Sequence, residues 1–145
     1  MGDVDTLLAL GITPGMIASW GAQDVPGTTG VGPWAEDALG PARPEILSDT
    51  ASGIFSDASE KIAGVNPTRI VAVNHSIDGD TAQLLQNIAP TTLKPDGATN
   101  WQIPWRDQVK QIAAGVDRAD EADSLISEAE ESFDSFQKKH PETAG

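Results

Sequence analysis

Residues 66–93 constrain the fold more than any other part of the chain. Asn66-Pro67-Thr68-Arg69-Ile70-Val71-Ala72-Val73 reads as a buried strand that empties into the polar turn Asn74-His75-Ser76, just ahead of a helix over Asp80 to Ile88. The helix stops at Ala89-Pro90, and the apolar segment Thr91-Thr92-Leu93 follows at once. Strand, helix and strand in that order make one βαβ unit, because parallel neighbours need a long crossover between them. Open parallel sheets take ligands at the carboxyl ends of their strands, which puts Asn74 to Ser76 in the position of a binding loop.

The flanking segments extend this pattern. Thr6 to Leu10 reads as the end of a helix, with Gly11 just past its last turn and Pro14 soon after. Met16 to Trp20 is a short buried strand, Ala22 to Pro33 a Gly/Pro/Thr loop, and Trp34 to Leu39 a helical turn or two entered through Pro33. Glu45 to Leu47 is another short strand, and Ser48 to Gly53 a second polar loop. Ser56 to Val65 is a helix with Ala58, Ile62 and Val65 on its inner stripe, ended by Asn66-Pro67. After the βαβ unit, Lys94 to Pro104 is a loop carrying Trp101. Trp105, Val109, Ile112, Ala113 and Val116 then mark one amphipathic helix. A longer one from about Ala119 to Lys139 carries Ala122, Leu125, Ile126, Ala129, Phe133 and Phe136, its acidic residues early and its lysines late. The acidic run Asp117 to Asp134 reads as a solvated helix face.

Charge and composition exclude whole classes of function. The formal charge is −13 with only nine Lys and Arg, spread along the 145 residues, which disfavours nucleic acid and a bare anionic membrane surface. At 39% hydrophobic content the chain can bury the core of one domain. No run approaches the roughly 20 apolar residues of a membrane helix. The start, Met1-Gly2-Asp3-Val4-Asp5, has neither the basic region nor the apolar stretch of a signal peptide, so the chain is expected to be cytoplasmic or to have lost a leader. The absence of cysteine removes disulfides, thiolate zinc sites, Cys nucleophiles and cysteine lipidation.

Five short motifs then occur in a fixed order: Leu7-Leu8-Ala9-Leu10-Gly11-Ile12-Thr13-Pro14, Pro33-Trp34-Ala35-Glu36-Asp37-Ala38-Leu39-Gly40, Ser59-Glu60-Lys61-Ile62-Ala63 before Asn66-Pro67, Ile88-Ala89-Pro90-Thr91, and Pro104-Trp105-Arg106-Asp107-Gln108. With the element order, they resemble the N-terminal lobe of class III periplasmic binding proteins, the iron-siderophore and cobalamin receptors of ABC importers. The resemblance implies an α/β fold with a small parallel sheet flanked by helices. Residues 1–104 would form the ligand-binding lobe, lacking its first strand, and residues 105–145 a helical spine leading to an absent second lobe. Thr68-Arg69 depart from the family, which has Asp and an aliphatic residue there. Because the missing first strand would lie inside the sheet, the chain is expected either to pair strands with another copy of itself or to shift register and close the gap.

The resemblance also implies a function: the extracytoplasmic substrate-binding component of an ABC importer, closing on a ferric siderophore and docking on a membrane permease. The periplasm or the cell surface is then the expected location, with a membrane anchor in the full-length protein. Loops after the strand ends would form the cleft, which makes Trp20, Trp34, Ser52, Asn74, His75, Ser76 and Trp101 the candidate ligand contacts. Aromatic walls with a few polar groups suit a large, greasy chelate. Glu60 is the position that would meet permease arginines, since a carboxylate fits a guanidinium fork. Arg43 is the cation nearest the expected cleft, and this scarcity favours a hydroxamate or other weakly charged chelate over tricatecholates or citrate. A cobalamin or haem receptor lobe is the neighbouring alternative.

Chemistry of other kinds finds less support. His75 lacks HxxH or HExxH spacing, and the other histidine, His140, lies at a helix end, so neither metal ligation nor a cofactor of the protein's own is expected. Ser76 and His75 with an Asp could be drawn as the triad of a small α/β hydrolase, but no GxSxG turn is present, and no catalytic residue is assigned. Asp78-Gly79-Asp80 begins like a calcium loop and breaks off. Gly30-Val31-Gly32-Pro33-Trp34-Ala35 fits a dinucleotide fingerprint only formally, with Pro33 where backbone donors are wanted.

Overall fold

The computed structural model describes residues 2–18, 29–47 and 58–143. In chain order these form α1 (Asp3–Ala9), β1 (Met16–Ala18), α2 (Glu36–Leu39) entered through a 3-10 turn at Pro33–Ala35, β2 (Glu45–Leu47), α3 (Ser59–Gly64) and β3 (Ile70–Ala72). Then follow α4 (Gly79–Ile88), β4 (Thr91–Leu93), α5 (Trp105–Gly115) and, after a 3-10 turn at Ala119–Glu121, α6 (Ala122–Lys139). The expected fold class, α/β with short parallel strands and flanking helices, is the one observed.

Local chemistry sets the boundaries. The α1 helix ends because Gly11 takes φ 71°, letting its N–H reach the Leu8 carbonyl at 2.9 Å while the Ile12 N–H reaches Leu7 at 2.8 Å, a Schellman cap. Leu7 and Ile12 share one core cluster, the apolar contact that accompanies this cap. Asn66 ends α3 at φ 50°, with its N–H on the Ala63 carbonyl at 2.9 Å. Asp78 caps α4, its Oδ1 accepting from the Thr81 N–H at 2.7 Å; the acid that opened a broken calcium pattern is a helix cap. Ser56 and Asp57, expected in α3, lie outside the described residues, as do Trp20 and Ser52.

The strands pair as two parallel ribbons. Met16 to Ala18 align with Glu45 to Leu47, and Ile70 to Ala72 with Thr91 to Leu93. Among the described residues β1 and β2 form one sheet and β3 and β4 another. Each strand bonds along one edge with its sequence neighbour, β1 with β2 and β3 with β4. Both ribbons nonetheless rest on one core, in which Leu47, Ala58, Ile62 and Leu85 are buried and Met16, Ala18, Ile70 and Ile88 pack around them.

A second core joins α1, the end of β3 and α5 through Leu7, Val73 and Ile112. Arg69 gives this junction its clamp. Its guanidinium donates to the Gly115 carbonyl at 3.1 Å and pairs with Asp117, placing a cation at the C-terminal end of α5 where the helix dipole favours it. The residue that departs from the family pattern thus ties the start of β3 to α5. Along α6 only Ala122 and Ile126 are buried, whereas Phe133 and Phe136 are exposed. Arg106–Glu130 and Lys110–Asp123 pairs bridge α5 to the acidic face of α6.

Candidate functional site

The chain leaves β3 through Ala72 and Val73, both buried, and turns at Asn74. That turn is held by a residue the sequence reading passed over. Asp3, in the first turn of α1 and 6% exposed, accepts from the Val73 N–H at 2.8 Å and from the Asn74 N–H at 3.1 and 3.2 Å. Gln108 of α5 donates its Nε2 to the same carboxylate at 3.1 Å. Burying a carboxylate is costly without partners, and three N–H donors supply them here.

His75 stands beside this group, its Nε2 3.9 Å from Asp3 Oδ2, a distance for Coulombic attraction and longer than a hydrogen bond. Burial of the imidazole lowers its pKa from the ordinary 6.5, against the smaller raising pull of the Asp3 charge. The ring meets Trp101 edge-on, with centroids 6.1 Å apart. Ser76 Oγ accepts from Asn100 Nδ2 at 2.8 Å, so the loop after β3 is laced to the loop that carries Trp101. Trp101 itself sits at φ 66°, a left-handed conformation rare for a bulky residue, with its indole half-exposed.

Between the loops that follow β3 and β4 lies a hollow of about 220 Å³, bordered by Ala72, His75 and Ile77 on one side and by Leu93, Lys94 and Asp96 on the other. This is the carboxyl end of a parallel pair, the position expected for ligands. Its volume is below the roughly 300 Å³ at which enclosed ligand sites begin.

The candidate residues divide accordingly. Asn74, His75, Ser76 and Trp101 are brought together at the β3 exit. Of the candidates among the described residues only His75 lines the hollow, while Asn74, Ser76 and Trp101 stand beside it in the same loops; Trp34 is 71% exposed and donates its indole N–H to Asp5 Oδ1 of α1 at 3.1 Å. Trp20 and Ser52 lie outside the described residues. Glu60 is exposed on the first turn of α3. Arg43 turns its guanidinium back onto the Gly40 and Ala42 carbonyls of its own loop, and among the described residues the cation lining the hollow is Lys94. Lys94 donates to the Ala98 carbonyl at 2.5 Å, which bends the loop after β4 into a wall.

Comparison with known proteins adds the following. A sequence model of the periplasmic binding protein family matches residues 3–144. No curated protein matches the chain. A periplasmic solute binding protein from Mycobacterium smegmatis is 34% identical, with a TM-score of 0.83 over 100% of this chain and 48% of that one. The iron uptake ABC transporter substrate-binding protein PiaA from Streptococcus pneumoniae is 28% identical, with a TM-score of 0.80 over 97% of this chain and 45% of that one. PiaA in complex with ferrichrome gives 29% identity and a TM-score of 0.79 over the same shares. The chain spans about half the length of these solved structures.

Proposed function

Because the chain belongs to the periplasmic binding protein family, we propose that it forms the N-terminal ligand-binding lobe of the receptor of an iron-siderophore ABC importer. The observation that carries this reading is the backbone likeness to PiaA holding ferrichrome, a hydroxamate chelate of iron, at a TM-score of 0.79. Residues 1–104 would cup one side of the chelate, and residues 105–145 would be the helical spine toward a second lobe. Asn74, His75 and Ser76 offer hydrogen-bonding groups to the chelate periphery, and Trp101 an aromatic wall. With Lys94 the one cation bordering the hollow among the described residues, a weakly charged hydroxamate fits better than a tricatecholate, whose charge calls for several cations. Iron enters as cargo, already saturated by its chelator, so the protein needs no ligand to the metal and performs no catalysis.

The family is extracytoplasmic, and among the described residues no helix is long and apolar enough to cross a membrane. Glu60 would dock on arginines of the permease. The deciding experiment is quenching of the four tryptophans by a panel of ferric chelates. Ferrichrome is expected to quench at lower concentration than a ferric tricatecholate or ferric citrate. Equal response to all three, or none to ferrichrome, removes the reading. Affinity should be weaker for residues 1–145 taken alone than for a closed two-lobed cleft, which adds contacts and enclosing desolvation.

A further inference from the structure

We infer that Asp3 is the positioning residue of the loop that borders the hollow: from α1 its buried carboxylate gathers the Val73 and Asn74 backbone N–H groups and the Gln108 side chain, and thereby sets where the His75 imidazole stands. The inference rests on the hollow being the ligand site. An exposed first-turn aspartate would do no more than complement the helix dipole. Asp3 instead joins three elements, α1, the end of β3 and α5, at the point where the chain turns into the candidate binding loop. Asp5, two residues further along the same helix, shows the contrast, since it bonds the Gly2 N–H at 3.0 Å and the exposed Trp34 indole.

Asp3 acts on His75 without a hydrogen bond to it. The carboxylate fixes the two peptide groups that precede the ring, and its charge favours the imidazolium across 3.9 Å. Among the described residues Lys94 and Asp96 are charged groups that share the wall of the hollow with His75. A ligand in the hollow would meet His75 and leave Asp3 behind it, which makes Asp3 a positioning residue and His75 the contact.

The test is Asp3→Asn in the full chain, a change that keeps size and one acceptor while removing the charge. The His75 ring protons are expected to titrate at lower pH than in the wild type, and the Val73 and Asn74 amide resonances to shift. Ferrichrome quenching should weaken on the order of tenfold, as for loss of a charged buried hydrogen-bond partner. In a His75→Ala background, Asp3→Asn should add little further loss. Asp37→Asn, exposed on α2, should leave both readouts unchanged. Unmoved His75 titration and unmoved amides in Asp3→Asn overturn the inference, whatever binding does. If they move as expected while the wild-type chain shows no ferrichrome quenching, the positioning role stands and the ligand reading fails. Should Asp3→Asn not fold, Gln108→Leu removes one donor and leaves the carboxylate; displaced Val73 and Asn74 amides there support the role, and undisplaced ones overturn it.

Discussion

Gln108 reaches Asp3 across 105 residues of sequence, its amide nitrogen 3.1 Å from the carboxylate and both side chains buried. The contact seats α5 against the start of α1, and Ile112, fully buried one turn along α5, packs there with Leu7 and Val73. Replacing Gln108 by Met keeps the volume and leaves Asp3 one donor short. The expected cost is about 1–3 kcal/mol of unfolding free energy, the penalty for an under-partnered buried polar group. Urea denaturation measures it, and an unchanged midpoint would show that the contact carries no stability.

Two glycines should respond oppositely to the same substitution. A Cβ on Gly115, at the end of α5, would meet Thr92 Cγ2 at 2.7 Å and Thr92 Cβ at 2.8 Å, closer than real carbon contacts allow. Gly115→Ala is therefore expected to cost about 1–3 kcal/mol by forcing α5 off β4. Gly64, in α3, has nothing within 4 Å of such a Cβ. Gly64→Ala should be neutral or stabilising by up to about 1 kcal/mol through the lost freedom of the unfolded chain. Thermal midpoints that move together would contradict the packing described at Thr92.

The parts of this molecule that were legible in the sequence are those whose cause is local. Ile70–Ala72, Gly79–Ile88 and Thr91–Leu93 could be read because apolar runs, a cap and Ala89-Pro90 are neighbours along the chain. Gly11 could be read as a helix stop for the same reason. Asp3 could not, because a first-turn aspartate looks like a dipole partner and its three donors lie at positions 73, 74 and 108. The bond from the Trp34 indole to Asp5 of α1 was not legible either, because the partners lie 29 residues apart. Loop direction was not legible either: Arg43 bonds its own turn, and Lys94 bonds Ala98 beside the hollow. Proximity at loop ends is a tertiary fact that spacing does not encode.

His75 gives stability a pH dependence with a definite sign. Burial lowers its pKa from the ordinary 6.5, so between the folded value and 6.5 the unfolded chain holds more protons than the folded one. Unfolding must then become easier as pH falls below about 6.5, the loss ceasing to grow beneath the folded value, with no contribution above 6.5. His75→Asn should flatten that slope. Urea midpoints followed from about pH 8 to about pH 5 check it; parallel curves for the two proteins would assign the slope elsewhere.

Unpaired strand edges make a further demand. Among the described residues each strand has a single partner, so both ribbons present backbone N–H and C=O groups along an open edge. Such edges template pairing with other chains. Concentration-dependent self-association is the expected result in sedimentation or light scattering, and it should weaken when Val71→Pro removes an edge donor on β3. A strict monomer at every concentration would mean that the edges are covered within the chain.

Trp101 joins a strained backbone to an exposed ring, and the two can be separated. At φ 66° a tryptophan pays about 1–2 kcal/mol that Asn, which tolerates the left-handed region, largely avoids. The residue is 52% exposed, and the buried half of so large a side chain offsets that cost. The buried part of the ring holds the strained loop, and the use proposed for the exposed part is contact with the chelate beside His75. Trp101→Asn should therefore not raise the unfolding free energy, since the lost burial offsets the relieved strain, while it sharply reduces the ferrichrome response. The response must be read by direct binding, such as calorimetry, because the substitution also deletes a fluorophore. A variant that is more stable would show that the ring does not hold the loop, and one that binds ferrichrome unchanged would take Trp101 out of the site.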